Sequence, residues 1–512
     1  MCNPVRSGIS LKLAIACVSI ALTAGGGCVG VDSNGDFRNT SDQIRQHTGA
    51  EQVYDPDGDA GTAEKVNDLL AGGLTEEEAV SVALLNNPTF QALFQEIGAC
   101  RADVVQSGLL SNPTLSLGFR LVEGGGRAEI TGSLAQQIVD LWQIPVRKRI
   151  AEAQLQRTVA VVVEQATRVA AEVRARYYRV LAGKRAEELS ADNMALIQQA
   201  LDVAQARLRA GDAGPLDVNL VRMNLLDAEI ERQSAERDRV VAEVALAGAL
   251  GLSRSNAPLT LAGALPQPLA PEHDEAELQT VATEQRLDLR AARLAVTSAE
   301  NELERECRNV FPSIVLGING ERTERRAMPG RDILADTLRS SVTAGTLTAP
   351  SIQPRSEREQ ARRQFIDSLL GATVSITLPI WDQNQARIAR ARFEVIRRRK
   401  LLDAVAEAAA QQVRESLVRS RAARELAVLF DQEVLPQAVQ NLEGAQSLYR
   451  TGEQGILPLI ESQETLVRQR RRHVTVLQEY ALAMVDLELA VGGRLPPSDG
   501  ATEESPTQGD SE

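Results

Sequence analysis

The sequence is poor in the residues that build active sites. Only 3% of its 512 residues are aromatic, and it has 3 histidines and 5 cysteines. No Cys or His cluster has metal-ligand spacing, and no convergent nucleophile and base or phosphate loop is present, so we expect neither an enzyme nor a metal or other cofactor. A net charge of −13 leaves no extended basic surface, which argues against nucleic acid as a partner.

Proline is missing from two long stretches, Val146–Gly214 and Ile380–Leu435. Each stretch predicts a helix of roughly 60 residues, which would span about 90–100 Å. Charged residues recur every few positions, so neither helix suits a bilayer. Both helices are expected to run through water and to bury a narrow Ala/Leu/Val seam against neighbouring helices.

The N-terminus has a short apolar run. Basic residues precede the segment Leu13–Ala24, and small residues and Cys28 follow it, which predicts a signal peptide over residues 1–27. The small residues before Cys28 resemble a bacterial lipoprotein cleavage site, although Gly25 stands where Leu is usual. Cys28 would then be lipidated, and simple secretion is the alternative. Val29, rather than Asp, after this cysteine predicts export to the outer membrane.

Composition also marks the ends of the mature chain. Residues 28–73 are rich in Asp, Gly and Asn and are expected to form a mostly irregular, lipid-anchored tether. The acidic tail, 496–512, is expected to be disordered. Cys100 and Cys307 could pair in an oxidising periplasm, but we favour two buried free thiols.

Between these ends the chain is a duplicated unit. We predict the copies at 74–255 and 275–495, joined by a linker at 256–274. Thr75 and Glu78 have the spacing of a capping box that opens a helix. Apolar and polar residues then alternate with a period of two, which predicts two strands in each copy. These strand patterns are Asn112–Leu121, Ile130–Ile138, Phe311–Glu321 and Gly371–Ile380.

The second copy is longer than the first between its two strands. The extra residues lie at about Thr323–Leu370, which contains three prolines and no sustained periodicity. Since surface hairpins tolerate added length at little cost, we expect an exposed loop there.

Each long helix is followed by a similar glycine turn, RAGDAGPL in the first copy and RTGEQGIL in the second. A glycine just past a helix end supplies the left-handed residue that closes it. Pro215 suits the first position of the next helix. The two turns share an Arg, an acid, two Gly and a Leu: Arg209, Gly211, Asp212, Gly214 and Leu216, then Arg450, Gly452, Glu453, Gly455 and Leu457.

Four strands with one apolar face cannot close a membrane barrel alone. Such barrels pair every edge and usually have at least eight strands. Three copies would supply twelve strands and a ring of long helices, so a cyclic homotrimer is the expected closure.

These features resemble the TolC-type outer-membrane efflux proteins over about Leu74–Leu495. The resemblance rests on LTEEEAVSVALLNNP, SNPTLSLG, the paired glycine turns and EQRLDLRAA, where Leu287 replaces a common Pro. It implies a mainly α fold with a small β part, built from a duplicated strand–strand–long-helix unit. The trimer would close a 12-stranded β-barrel, in contact with outer-membrane lipid, and a long α-helical periplasmic tunnel. The partners implied are a periplasmic adaptor and an inner-membrane pump.

The segment LPIWDQNQARIARA resembles the strand-to-helix junction of cobalt–zinc–cadmium type ducts, whose usual form is closer to LPLFDRNQG-x-IA. Trp381, Gln383 and Ala386 depart from that form. The resemblance implies export of heavy-metal cations. A duct for drugs or secreted small molecules is the alternative within this fold, and a structural coiled-coil lipoprotein is the alternative in a different class.

The glycine turns are expected to lie at the periplasmic mouth and to dock the adaptor. Exposed backbone at their glycines would let another helix approach, and the leucines would anchor it. The turn acids are equally suited to capping helices. Asp217, Glu461 and Glu464 follow the turns, and a trimer would repeat any inward-facing acid as a cation-favouring ring. In related ducts such acids constrict the mouth, and Glu461 matches that position best.

Overall fold

The computed structural model describes ten segments of the chain: residues 30–56, 61–121, 128–211, 214–252, 259–268, 274–310, 313–324, 342–345, 366–451 and 453–495. These residues belong to two compact units. The helical unit is drawn from 1–103, 152–297 and 397–512, and the strand unit from 104–151 and 298–396.

The same order of elements occurs twice. Two short helices precede the first copy: α1 (Asn34–Thr48) and α2 (Thr62–Ala71). The first copy contains α3 (Glu76–Asn86), α4 (Pro88–Ser107), β1 (Thr114–Arg120), β2 (Glu129–Gln137), α5 (Asp140–Ala210) and α6 (Pro215–Ala249). The second contains α7 (Glu275–Gln285), α8 (Leu287–Arg308), β3 (Ile314–Glu324), β4 (Ile366–Ile376), α9 (Gln385–Leu429), a π-helix (Phe430–Val434), α10 (Leu435–Thr451) and α11 (Ile456–Val491).

The expectation of a mostly irregular segment before the first copy is wrong for its described part. Helix α1 buries Phe37 and Ile44, and the Phe37 ring stacks on Phe94 of α4 at a centroid distance of 5.5 Å. Arg101 of α4 forms an ion pair with Asp36. Tertiary packing of an apolar face, rather than helix propensity, stabilises a short helix of this kind, so composition alone did not reveal it.

The predicted capping box at the start of the first copy is confirmed. The Glu78 backbone N–H donates to Thr75 Oγ1 at 3.3 Å, and the Thr75 backbone N–H donates to the Glu78 carboxylate at 2.8 Å. Two N–H groups that the first turn of α3 would leave unpaired are thereby satisfied.

Helix α5 has 71 residues and begins before Pro145, not after it. Proline removes one helical N–H, but other contacts fix this helix start. Asp140 accepts hydrogen bonds from the Ser111 backbone N–H at 2.9 Å and hydroxyl at 2.6 Å. Arg147, two turns later, lies 3.0 Å from the same carboxylate.

The second long helix extends beyond the proline-free stretch that ends at Leu435 and reaches the second glycine turn, as expected. It begins at Gln385 and continues through the π-helix into α10. Pro436 cannot donate to the carbonyl four residues earlier, and a π-turn is a usual way for a helix to absorb such an interruption. Here the Leu435 N–H donates to the Phe430 carbonyl instead.

The strand unit contains one four-stranded antiparallel sheet in the order β1-β2-β3-β4. Residues paired directly across strands point to the same face. One apolar row runs from Leu115 to Leu134 and then to Ile318, and another joins Leu316 to Val374.

The predicted alternation of the strands is therefore confirmed. Leu115, Leu117 and Phe119 lie on one face and are 66%, 64% and 71% exposed. The opposite face carries polar residues in register across the sheet: Thr114, Ser116, Thr131, Ser133, Asn319, Thr373 and Ser375. A face this apolar and this exposed requires a cover that the described residues of a single chain do not provide.

The boundaries of the last strand differ from the prediction. Strand β4 begins at Ile366, so five residues of the expected loop pair with β3, and Leu370 lies opposite Gly320. The strand ends at Ile376, shortly before Pro379, which could not donate to the ladder. At the other end of the expected loop, Thr323 and Glu324 belong to β3. The rest of that loop lies outside the described residues, apart from residues 342–345.

We expected two buried free thiols. Both cysteines among the described residues are free, but only one is buried. Cys100 is buried, with its Sγ 3.3 Å from Thr158 Oγ1. Cys307 is exposed. The periodicity of α8 did not reveal this difference.

The sheet register predicts opposite responses to charge at neighbouring positions. We expect Ile376→Arg to prevent barrel assembly, because arginine on a lipid-facing position costs about 2–4 kcal/mol near mid-bilayer. In Ser375→Arg the new side chain lies on the polar face, so this variant should assemble. The amount of heat-modifiable oligomer in outer-membrane fractions measures the assembly of both variants. Equal losses of oligomer from the two variants would contradict this assignment of faces.

Candidate functional site

The first glycine turn is closed by backbone geometry. Gly211 has φ of +85°, the left-handed conformation predicted for it, and its N–H donates to the Leu208 carbonyl at 3.2 Å. Gly214 is extended, with φ −85° and ψ 157°, and Pro215 is the first residue of α6. The predicted helix–turn–helix geometry is confirmed here.

Asp217 has a local role at the same turn. Its carboxylate accepts a hydrogen bond from the Gly214 backbone N–H at 3.2 Å. An acid in the first turn of a helix also opposes the positive end of the helix dipole. Asp217 therefore caps α6, and its predicted role as an aperture acid stays a prediction.

The second turn closes in a similar way. The Leu448 carbonyl accepts from the backbone N–H groups of Glu453 and Gln454, at 3.1 and 3.3 Å. Gly455 is extended, with φ −69° and ψ 176°, and Ile456 begins α11. Asp212 and Gly452, the remaining members of the predicted set, lie outside the described residues.

The two turns meet at the same end of the helical unit. One hydrophobic cluster joins the end of α5 to the first turns of both α6 and α11: Ile197, Leu201, Ala204, Val218, Val221, Ala228, Ile456 and Ile460. Arg207 also stacks on the Tyr449 ring at 4.7 Å, which links the last turns of α5 and α10. The turns are distant in sequence, so this shared core makes them one surface.

That surface is open. Leu216 and Leu457 are 69% and 56% exposed, and Arg209 and Arg450 are exposed beside them. A Cβ placed at Gly211 or Gly455 would meet no atom of the described residues beyond its chain neighbours within 4 Å. Exposed backbone between two apolar anchors is the arrangement that a partner helix can pack against.

Glu461 and Glu464 are exposed on α11, one and two turns beyond the second glycine turn. Glu464 also lines a groove of about 720 Å³ between α5, α6 and α11. In the wall of this groove Arg471 lies 2.7 Å from Glu231 of α6 and donates to Ser190 of α5 at 3.1 Å. Glu461 and Glu464 thus lie on α11, which this polar network connects to α5 and α6.

One buried charge cluster was missed by the sequence reasoning. Arg174 of α5, with a side chain only 7% exposed, lies 2.8 Å from Glu76 and 2.6 Å from Glu488. It also donates to the Thr48 carbonyl at 2.8 Å. This single guanidinium joins the end of α1, the start of α3 and the end of α11. Nothing in the local pattern around Arg174 marks partners so distant along the chain.

The environment of this cluster perturbs two titratable groups. Burial raises the pKa of Glu488, and the nearby Glu76 adds to that effect while Arg174 opposes it. Burial and a hydrogen bond to Glu76 raise the pKa of Tyr178. Its hydroxyl donates to the Glu76 carboxylate at 2.5 Å.

The described residues contain no group of three or more His, Cys, Asp or Glu that could hold a metal ion. Among the same residues, no helix combines the length and the apolarity that crossing a membrane requires.

An alternating sheet and long helices with paired glycine turns define the class of outer-membrane efflux channels. The sequence profile described as "Outer membrane efflux protein" matches residues 79–252 and 278–493, so the chain belongs to this family. Its members are outer-membrane channels that extend into the periplasm, and they are not enzymes.

Individual relatives agree with this assignment. The cobalt–zinc–cadmium resistance protein CzcC of Cupriavidus metallidurans is 25% identical over 429 residues, which cover 82% of this chain and 91% of that protein. The crystal structure of CusC is similar with a TM-score of 0.62 at 15% identity, over 82% of this chain and 92% of the other. The outer-membrane channel OprN gives 0.61 at 15% identity, over 88% and 96%. The predicted TolC-like fold is confirmed.

The buried cluster predicts a pH dependence with a definite sign. Since the pKa of Glu488 is raised above its usual 4.5, the folded state binds this proton more tightly than the unfolded state. The resulting stability is present at low pH and is lost as pH rises through the folded pKa. Glu488→Gln removes this titration, so the melting temperature of the wild type minus that of the variant should fall with rising pH.

Thermal unfolding of both proteins across the acidic and neutral range measures this difference. Glu479→Gln, an exposed position on the same helix, is the matched control for the loss of one carboxylate. If the melting-temperature difference for Glu488→Gln fell with pH no more than the difference for this control, the pKa of Glu488 would not be raised in the folded protein.

Proposed function

We propose that the protein is the outer-membrane channel of a tripartite efflux system, in which three copies form a passive exit duct. The observation that carries the proposal is the sheet, which among the described residues has two unpaired edges and one exposed apolar face. The alternative of a structural coiled-coil lipoprotein does not explain such a sheet. The duct would connect through a periplasmic adaptor to an inner-membrane pump that supplies the energy.

The glycine turns are the proposed adaptor contact. Their support is the open backbone at Gly211 and Gly455 and the exposed leucines beside them, gathered on one surface by a common core. Arg209, Arg450 and Glu453 are exposed there too and would set the polar part of the contact.

Heavy-metal cations are the proposed cargo. The support is the junction motif after β4 and the likeness to a protein named for cobalt, zinc and cadmium resistance. Protein CyaE of Bordetella pertussis is also 25% identical, over 440 residues, so another cargo within the same fold is the competing proposal. Loss of cobalt, zinc or cadmium resistance on deletion, with no change in drug tolerance, would separate the two.

Lipidation of Cys28 is part of the same proposal and would hold the N-terminus at the outer membrane. This cysteine lies outside the described residues.

A bulky residue at the second turn tests adaptor docking. Gly455 has an ordinary φ and open space around it, so Gly455→Trp should fold and assemble without strain. We expect efflux to be lost because the indole prevents close approach of the partner helix. Gly35→Trp, at an equally open glycine of α1, is the control and should leave efflux unchanged. Normal efflux from Gly455→Trp, with trimer present, would leave the turns as plain helix connections.

The acids beyond the second turn predict a cation preference. A trimer would repeat Glu461 as a ring of negative charge, and such rings favour cations. Glu461→Ala should therefore lower the cation-to-anion permeability ratio in planar bilayers while assembly is retained. Ser462→Ala is a neighbouring control, since Ser462 bonds back to the Pro458 carbonyl of its own helix. An unchanged permeability ratio in Glu461→Ala would show that this residue does not line the aperture.

A further inference from the structure

Helix α11 leaves a single stripe of its surface exposed. Its exposed residues follow one another at spacings of three, four or seven residues, which places all of them on one face of the helix. They are Leu457, Glu461, Glu464, Arg468, Arg472, Thr475, Glu479, Asp486 and Leu489. This surface, which we call the α11 stripe, begins at the second glycine turn and runs along the whole helix.

The other sides of α11 are covered by helices of the same chain. Near the turn, Ile456 and Ile460 share a hydrophobic cluster with α5 and α6. Farther along, Val476 packs with Phe430 of the π-helix, and Leu487 belongs to a cluster with Val413 of α9. The α11 stripe is therefore the side of this helix that is left to face water or another chain.

The composition of the α11 stripe favours water. Between its terminal leucines every member is charged or is a threonine, whereas the core of a protein interface is depleted of charged residues. The stripe also contains Glu461, the proposed aperture acid. If Glu461 faces the lumen of the duct, the other members of the same stripe face the lumen too.

The charges of the α11 stripe change sign along the helix. Glu461 and Glu464 lie nearest the turn, Arg468 and Arg472 follow, and Glu479 comes next. At 1.5 Å per residue, Arg468 lies about 10 Å beyond Glu461, and Glu479 lies about 10 Å beyond Arg472. Salt screens charges over about 8 Å at physiological ionic strength. The arginines thus form a positive zone that acts separately from the acids on either side.

The two arginines of this zone are not neutralised within the described part of the chain. Arg471, which lies between them, is 2.7 Å from Glu231 of α6. No ion pair or side-chain hydrogen bond joins Arg468 or Arg472 to another described residue. Both line the groove of about 720 Å³ between α5, α6 and α11. Since a guanidinium is always protonated in proteins, both positive charges are available to ions in this groove.

The facing helix supplies only part of the opposite charge. Asp227 of α6 is exposed and lines the same groove. It is as many residues beyond Gly214 as Arg468 is beyond Gly455, so the two lie at similar distances from their turns. Glu231, the other acid of α6 in this groove, already pairs with Arg471. One carboxylate at this level faces two unpaired guanidiniums, so the zone is positive.

We propose that Arg468 and Arg472 form a positive selectivity zone inside the tunnel, which attracts anions and opposes cations. Three copies would bring two guanidiniums each to one level of the lumen. Rings of Arg favour anions, just as rings of acids favour cations. The inference rests on the proposed trimeric duct. The acids at the mouth and the arginines behind them then act in series, with opposite preferences, on every ion that passes.

Reversal potentials in planar bilayers under a salt gradient test the zone. Arg468→Gln combined with Arg472→Gln should shift the reversal potential toward that of a cation-selective channel, the opposite direction from Glu461→Ala. Arg468→Lys combined with Arg472→Lys keeps both charges and should keep the wild-type value. Arg38→Gln combined with Arg45→Gln, at exposed positions of α1, removes the same charge away from the stripe and should also leave the value unchanged.

Chemical modification restores or reverses the charge at one position. In a Cys307→Ser background, which removes the exposed thiol, Arg472→Cys is placed in bilayers and treated with a positively or a negatively charged methanethiosulfonate reagent. The positive reagent should return the reversal potential toward the wild-type value. The negative reagent should shift it further toward cation selectivity. Because both reagents are added after assembly, this experiment also decides the question if the double Gln variant does not assemble.

The possible failures can be told apart. Channels of the double Gln variant with a wild-type reversal potential, or equal effects of the two reagents on Arg472→Cys, would overturn the positive zone alone. A Lys variant that shifts as far as the Gln variant would overturn it as well, because charge would not be the cause. A wild-type protein that forms neither a trimer in detergent nor a conducting channel would overturn the proposed duct itself.

Discussion

The whole structure depends on the pairing of backbone groups at the edges of one small sheet. Strands β1 and β4 are the outer strands of the four-stranded order, so one edge of each has no partner within the sheet. In hydrocarbon every backbone N–H and C=O must be paired, and only a closed barrel allows this for strands. The apolar face and the unpaired edges together require further copies of the chain, and the long helices must then follow the same symmetry.

The duplicated unit supplies each kind of element twice. The Arg174 cluster joins the two copies, and Arg286 joins helices within the second copy. Each copy provides a pair of strands, a long helix, a glycine turn and a returning helix. Arg174 connects α5 to Glu76 and Glu488. Arg286 connects the start of α8 to the end of α11, where it donates to the Ala490 carbonyl at 2.8 Å. It also pairs with Asp288 at 2.6 Å, which gives the EQRLDLRAA motif a structural role.

The sequence predicted those parts of the fold that depend on interactions between residues close together in the chain. The capping box at Thr75, the alternation of β1 and the left-handed Gly211 each depend on neighbouring residues and were found as expected. Helix α1 was missed, since it depends on contacts distant in sequence. The π-helix at Phe430 was missed although its cause is local, because a proline can also end a helix and the pattern alone does not decide between the two. At the candidate site the turns could be predicted, but their shared core and the capping role of Asp217 could not.

The central claim is that three copies close one barrel and one tunnel. Electron cryo-microscopy of the purified full-length protein in lipid nanodiscs tests it most directly, because strands and helices can be counted around a single lumen. The account predicts threefold symmetry, twelve strands inside the disc and a ring of helices outside it, with both glycine turns of every copy at the far end. Particles with an open four-stranded sheet, or with any other number of copies around the lumen, would contradict it.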